Sequence, residues 1–532
     1  MSEVYDFIVV GGGTSGGGTN SNPVFRTPEN RWALVFTEPS VEWGYTTTPQ
    51  MHLAGQQIPC LRGKGLGGSS AVNFACWVIG DKNDYEEWAE LVGDDDWRWE
   101  GENGVKNRLR KIENVHDVGE GVTEAQRALA DNELLKLHSK EGRVDVSYDQ
   151  FWEGREMMAM QIAQEMGIPI NGDMNSGNPH GLGLAPSTFG KGARTTSASA
   201  YLNSPPENLT IITDSIVDKV LFDESKRAVG VITIEGKVYE ASKEIIISAG
   251  AFDSPKILLR SGVGPADDLS DLSIPVIEDI PGVGENLMDH CLCNITHILK
   301  EELVPIIKPN ARDPLLNSGE QIPMAWVQLP KIIESPEFNA LPPQVKTHIS
   351  KVPTTEIIIF GINLGVALPK ETTQILNITV GTMNNQSTGT LKLSSPSATA
   401  PALIDMQYLS HPYDRRVAIE NIRHAMEMGK SPTLQTLTES ILIAPKSDSE
   451  EDIWEFVKEK VSPIYHFAGT CKMGREEDSL AVVDAKFRVR GVKGLRVADH
   501  SVAPLMVNNH TQSTCYLIGE TAAEKLIKEY KL

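Results

Sequence analysis

Tyr5-Asp6-Phe7-Ile8-Val9-Val10-Gly11-Gly12-Gly13-Thr14-Ser15-Gly16 opens the chain with an apolar run that passes directly into glycines. Phe7 to Val10 reads as a buried strand, and Gly11, Gly13 and Gly16 fit G-x-G-x-x-G immediately after it. In that pattern the glycines let the backbone approach a pyrophosphate at a helix N-terminus, with Thr14 and Ser15 in the loop. The helix itself is not evident. Gly17-Gly18-Thr19-Asn20-Ser21-Asn22-Pro23 is rich in residues that disfavour a helix interior. A flexible glycine loop is the competing reading. Glu38, at the end of Ala33-Leu34-Val35-Phe36-Thr37, lies about 20 residues past the loop, where a ribose-binding carboxylate is expected.

Farther along, strand-like and helix-like stretches alternate. Leu209 to Thr213 and Ser215 to Phe222 are β-rich, and Ala228 to Glu235 and Glu244 to Ser248 follow. Gly250-Ala251-Phe252-Asp253-Ser254-Pro255 then opens a helix, with Pro255 expected in its first turn. From about Cys291 to Val461 the character changes to scattered prolines, polar loops and the β-like runs Thr354 to Leu364 and Ile375 to Thr382. An inserted substrate domain has this appearance.

The chain has 532 residues, enough for two domains, and 49 Lys+Arg against 71 Asp+Glu give a formal charge of -22. Such a surface repels phosphate backbones and anionic lipid, so neither nucleic acid nor a membrane is an expected partner. A local basic pocket for one anionic cofactor is compatible with it. The six cysteines form no CxxC pair, and no Cys/His grouping has metal-ligand spacing. Idle or buried thiols are expected, and no metal. No apolar run reaches membrane-spanning length, and Met1-Ser2-Glu3 leads into the first strand without a basic leader. The expectation is a soluble cytoplasmic protein.

Arg62-Gly63-Lys64-Gly65-Leu66-Gly67-Gly68-Ser69-Ser70-Ala71-Val72-Asn73 is the most informative block. Close glycines followed by small hydroxyl residues allow a flat ring or a phosphate to lie against bare backbone. It is not a P-loop, since no GK[ST] follows. Two of the 12 histidines, His466 and His510, lie in Gly- and Ser/Thr-rich loops and not in apolar periodic segments. A structural or surface role is the ordinary reading of a single histidine. The motifs around these two set them apart.

With Asp84-Tyr85 and Trp88, the Arg62–Asn73 block resembles the first signature of the glucose-methanol-choline (GMC) oxidoreductases. Gly250 to Pro265 resembles the second. Pro281-Gly282-Val283-Gly284-Glu285-Asn286-Leu287-Met288-Asp289-His290 is similar to the segment that follows it. His466-Phe467-Ala468-Gly469-Thr470-Cys471-Lys472-Met473-Gly474, Gly494 to Ser501 and Asn509-His510-Thr511-Gln512 complete the family order.

The resemblance implies an α/β protein with a discontinuous, Rossmann-like FAD-binding domain at residues 1–80, 190–290 and 462–532. Interleaved with it would be an α+β substrate-binding domain with an antiparallel sheet, at 81–189 and 291–461. It implies FAD held by Gly11, Gly13, Thr14, Ser15, Gly16 and Glu38, and by Gly67, Ser69, Ser70 and Asn73. Val217 would lie near the adenosine, Asp499 by the cofactor chain, and Thr511 and Gln512 at the helix entry. Val72 stands where some members link histidine covalently to FAD, so noncovalent binding is expected. His466 would be the general base of alcohol oxidation and His510 its partner, with dioxygen or another acceptor reoxidising the flavin. Imidazole suits this work because its ordinary pKa lies near neutral pH. Asp499 as a turn cap and Arg194 as a loop salt bridge are the alternative readings for those two residues.

The N-terminus departs from the family pattern. Trp43-Gly44-Tyr45-Thr46-Thr47-Thr48-Pro49-Gln50 arrives soon after Gly16, so much of the usual intervening segment is absent. Two alternatives to alcohol oxidation therefore stand. One is a non-redox lyase or cyclase on the same fold, of the kind found in natural-product biosynthesis. The other is a degenerate relative with impaired FAD binding.

Overall fold

The computed structural model describes residues 3–12, 38–118, 123–148, 155–190, 192–301, 322–361, 367–370 and 373–532. In chain order, its principal strands begin with β1 (Glu3–Val10), β2 (Gly181–Ala185), β3 (Val217–Phe222), β4 (Ala228–Thr233), β5 (Val238–Ile247) and β6 (Cys291–Leu299). They continue with β7 (Ile322–Val327), β8 (Thr355–Phe360), β9 (Ile375–Thr382), β10 (Thr438–Ile443), β11 (Ser462–Pro463) and β12 (Leu495–Val497).

Five of these form one sheet in the order β1-β5-β4-β3, with β12 also paired to β5. β1 runs parallel to β5 with Val10 beside Ile247, and β12 is parallel to β5 on its other side. The β3-β4-β5 pairings are antiparallel. The other seven make an antiparallel sheet in the order β10-β6-β9-β8-β7-β2, with β11 on β6. The fold is α/β with a mixed and an antiparallel sheet.

Alternation sorts the two faces of the large sheet. Ile357 and Ile359 of β8, Ala325 of β7 and Ile378 and Val380 of β9 belong to the main core, together with Ala418, Ile422 and Ala425. Those three lie on α3, counted after α1 (Gly68–Val72) and α2 (Gly250–Arg260) and before α4 (Gln512–Tyr530); α3 spans Pro412–Met428. The opposite face carries Ile358 and Phe360 of β8 and Ile322, Met324 and Trp326 of β7. These form a separate cluster, packed against Phe74 and Ile464.

Three local expectations are corrected. β1 is not a buried strand: it lies at the edge of its sheet among the described residues, and Val4 and Val9 are 63% and 64% exposed, leaving Val10 buried. Leu209 to Thr213 forms no strand, and β3 begins only at Val217: no strand among the described residues pairs with that run to give it ladder hydrogen bonds. Pro255 lies in the second turn of α2 and not the first. A proline there cannot donate to the carbonyl four residues back, that of Ala251. The Thr470 hydroxyl donates to that carbonyl instead, at 2.6 Å. Thr470→Val, similar in shape but without the donor, is expected to destabilise the protein by about 1–3 kcal/mol. Denaturant unfolding measures this.

Candidate active site

The Arg62–Asn73 block turns tightly into α1. A Cβ on Gly63 would meet the Gly68 carbonyl carbon at 2.3 Å, so only glycine allows that approach. Ser69 Oγ accepts from Gly63 N–H at 3.3 Å, and Ser70 Oγ donates to Gly67 O at 2.6 Å. Asn73 closes α1 and joins three segments. Its Nδ2 donates to Gln512 Oε1, and its Oδ1 accepts from Ala75 N–H at 3.0 Å and from Arg194 Nη1 at 2.8 Å. The expected flavin flank from the first motif and the helix entry from the last are therefore in contact. Arg194, 2% exposed, binds Asn73 and the α1 backbone.

Asp499 joins the start of α2 to the strand β12. Its Oδ2 accepts from Gly250 N–H at 2.9 Å and Ser254 Oγ–H at 2.5 Å, and its Oδ1 from Ser501 N–H at 2.8 Å. This is the cap reading of Asp499. Gly11 lies beside the same corner, where a Cβ would meet Ser248 O at 2.3 Å. Val217 opens β3 opposite Thr233. Glu38 caps the short 3-10 helix Pro39–Val41 and accepts from Ser40 Oγ–H at 2.7 Å. Gly13, Thr14, Ser15 and Gly16 lie outside the described residues, as does the Ala33–Thr37 run.

His466 and His510 come together, 44 positions apart in sequence, with ring centroids 5.0 Å apart at 79°. A third imidazole completes the group. His290 Nδ1 lies 3.1 Å from His466 Nδ1, so one ring donates to the other. The preceding Asp289 accepts the His466 backbone N–H at 2.6 Å and the Tyr408 hydroxyl at 2.6 Å. One dipeptide thus holds both the backbone and the ring of His466. His510 Nε2 meets Glu356 Oε1 of β8 at 2.8 Å, and Glu356 is fully buried.

Burial governs the charge state of this cluster. It pushes His466 well below the ordinary histidine range, assisted by the neighbouring imidazoles of His510 and His290. Burial likewise lowers His290 to about 3 and His500 to about 4. Burial raises Asp289 to about 7, against the hydrogen bonds from Tyr408 and the His466 amide. A neutral imidazole at His466 is a proton acceptor.

A separate buried histidine has a different character. Burial alone would lower His138, but its bonds to Asp173 (3.3 Å) and Glu113 (2.7 Å) raise it to about 10. Because the folded value exceeds the unfolded one, this group stabilises the fold fully below about pH 6.5 and loses that contribution as pH rises through about 10. Unfolding followed from pH 6 to 10.5 is expected to show this alkaline loss diminished in His138→Gln.

Two family models described as GMC oxidoreductase match the chain, over residues 5–292 and 385–519. An oxygen-dependent choline dehydrogenase of Pectobacterium carotovorum is 31% identical over an alignment covering 99% of this chain and 95% of that protein. The chain belongs to the GMC oxidoreductase family. It is therefore an enzyme, an FAD-dependent alcohol oxidase or dehydrogenase by class. Dehydrogenase pkfF of Emericella nidulans is 28% identical, with 99% and 93% covered. A formate oxidase variant of Aspergillus oryzae superposes with a TM-score of 0.85 at 25% identity, over 100% and 99% of the two chains. The alignment to the Pectobacterium protein runs over 565 positions, more than the 532 residues here, so that relative carries segments this GMC chain lacks.

The described residues fit the flavin end of FAD. The Thr511 side chain makes no capping hydrogen bond to α4, and the positive end of this 19-residue helix follows directly on His510. That end suits the electron-rich pyrimidine side of a reduced flavin. The bare glycine turn of Gly63 to Gly68 suits a flat ring. Sequence reasoning missed His290 and Glu356. His290 is the last residue of the Pro281–His290 block, in which it was assigned no role. Glu356 is a lone carboxylate in the apolar run Thr355–Phe360, a signal that a buried partner must exist.

Proposed function

We propose that this GMC enzyme oxidises an alcohol by transferring hydride from the carbinol carbon to bound FAD, with His466 as general base and His510 as its partner. The carrying observation is the buried contact of a His466 depressed in pKa with His510 and His290. FAD supplies a two-electron acceptor for the hydride. Gly67, Ser69, Ser70, Asn73, Thr511 and Gln512 would flank its ring without a covalent link, and Gly11, Val217 and Asp499 would lie toward its chain. Gly13, Thr14, Ser15, Gly16 and Glu38 are the remaining candidate contacts.

His466 takes the hydroxyl proton as the carbon-bound hydrogen leaves with its electron pair. To accept at Nε2, it carries its own hydrogen on Nδ1 and donates it to His290 Nδ1. His290 thereby fixes the tautomer of the base. The developing negative charge on oxygen meets His510, whose ring is held in place by Glu356 through Nε2. The electrons then pass to dioxygen or another small acceptor, completing turnover. The two domains of this reading are 1–80, 190–290 and 462–532 for FAD, and 81–189 and 291–461 for the substrate.

The test is the visible spectrum of purified protein followed by an anaerobic alcohol panel. A flavin spectrum bleached by an alcohol supports the reading. Turnover without any bleaching points to the lyase or cyclase alternative, and protein that takes up no FAD on reconstitution points to the degenerate one.

A further inference from the structure

The second face of the large sheet carries polar atoms that no group in the protein satisfies. Trp326 of β7 and Glu356 of β8 are register partners, and Glu356 is paired in turn with Gly381 of β9. Direct partners on an antiparallel ladder share a face, with Cβ atoms about 5 Å apart. One step along, Met324, Ile358 and Thr379 form the next row on the same face. Trp326 Nε1, Glu356 Oε2 and Thr379 Oγ1 are buried and have no hydrogen-bond partner among the described residues, and the three side chains belong to residues at most 2% exposed. An unsatisfied buried polar group is costly, so three in adjacent positions beside a catalytic histidine point to a ligand. The rest of this face is apolar: Met324, Ile358 and Phe360 pack together with Phe74 and Ile464, which adjoin Asn73 and stand near His466 in sequence.

Resting on the oxidation reading above, we infer that this face recognises the non-reacting part of the substrate: an uncharged, largely apolar alcohol that carries a second hydroxyl. The choice follows from the chemistry of the unpaired atoms. Trp326 can only donate, and Glu356 Oε2 accepts. A hydroxyl does both at one atom, receiving from the indole and giving to the carboxylate, while Thr379 can adjust to either role. An ammonium group could serve Glu356 but offers nothing to Trp326. Glu356 already has its other oxygen engaged by His510 Nε2. A second carboxylate would be repelled. The methionine, isoleucine and phenylalanine side chains then enclose a hydrocarbon or aromatic body, and a sugar-like polyol would strand its further hydroxyls there.

The experiment compares anaerobic flavin reduction in the FAD-loaded enzyme by benzyl alcohol, by 2-, 3- and 4-hydroxybenzyl alcohol, and by choline. At least one hydroxybenzyl isomer is expected to exceed benzyl alcohol in kcat/KM by on the order of tenfold or more, the effect of one desolvated hydrogen bond. Choline should be the poorest. Trp326→Phe should raise KM for the preferred isomer and bring the ratio to benzyl alcohol toward one. Thr379→Val provides an independent variant should the tryptophan change disturb folding, and it too should shrink the ratio. Equal use of all the benzyl alcohols, choline as best substrate, or a ratio unmoved by both variants overturns the inference and leaves alcohol oxidation standing. Bound flavin that none of these alcohols bleaches overturns the inference and the oxidation reading together.

Discussion

His466→Ala is expected to slow anaerobic flavin reduction by the alcohol about 10²–10⁴-fold while leaving FAD content unchanged. The base acts only when the hydroxyl proton is transferred, so the loss falls on kcat and kcat/KM together and not on KM alone. The backbone of His466 is held by Asp289 through its amide, an interaction that alanine retains. The substitution therefore tests the imidazole and not the loop. Because burial and the neighbouring histidines keep His466 neutral through the working range, wild-type flavin reduction should not fall between pH 8 and 6 through this group. Stopped-flow absorbance at several pH values reads both results. Unchanged flavin reduction in His466→Ala would sink the assignment.

Asp84→Ala is expected to destabilise the enzyme by about 3–5 kcal/mol, the cost of breaking a buried charged pair from one side. Asp84 is fully buried on the helix Lys82–Val92 and meets His348 Nε2 at 3.0 Å. Its other oxygen accepts the Asn508 backbone N–H at 2.9 Å, two residues before His510. Burial opposes the charge on His348, but the bond to Asp84 still raises its pKa. Alanine would leave both the His348 ring N–H and the Asn508 amide without this acceptor. Calorimetric unfolding measures the loss. Asp84→Asn keeps the shape and one acceptor and should lose less, which separates the charge from the packing.

The legible parts of the sequence were those in which backbone geometry restricts the residue. Gly63 and Gly67 stand where a side chain would collide or where φ is positive, so the first motif is readable as a close turn from its residues alone. His466 and His510 were legible because their glycine and hydroxyl neighbours excluded a place in an apolar helix. Glu356 was hidden for the opposite reason. Its strand is apolar on both faces, since α3 covers one and the active site the other, and such a strand shows no alternation to mark the single functional position. Leu209 to Thr213 misled because β propensity describes fit to a neighbouring strand, and none is paired with it among the described residues. Pro255 misled because its missing hydrogen bond is made good by Thr470, more than two hundred residues away. A local rule cannot register that compensation.

The sharing of β5 between β1, β4 and β12 bears on how the enzyme is made. β1 is synthesised at the start, β4 and β5 midway, and β12 only near residue 497, yet all three neighbours dock along one strand. Pairings so distant in sequence form slowly, because a long loop must close before any contact rewards it. On the ribosome the mixed sheet stays open along one side of β5 until that late strand emerges. The Asp499 cap on α2 and the start of α4 follow it within a few residues. A chain stalled on the ribosome before residue 495 holds neither β12 nor Asp499 nor α4, so that corner of the mixed sheet is the last to be built.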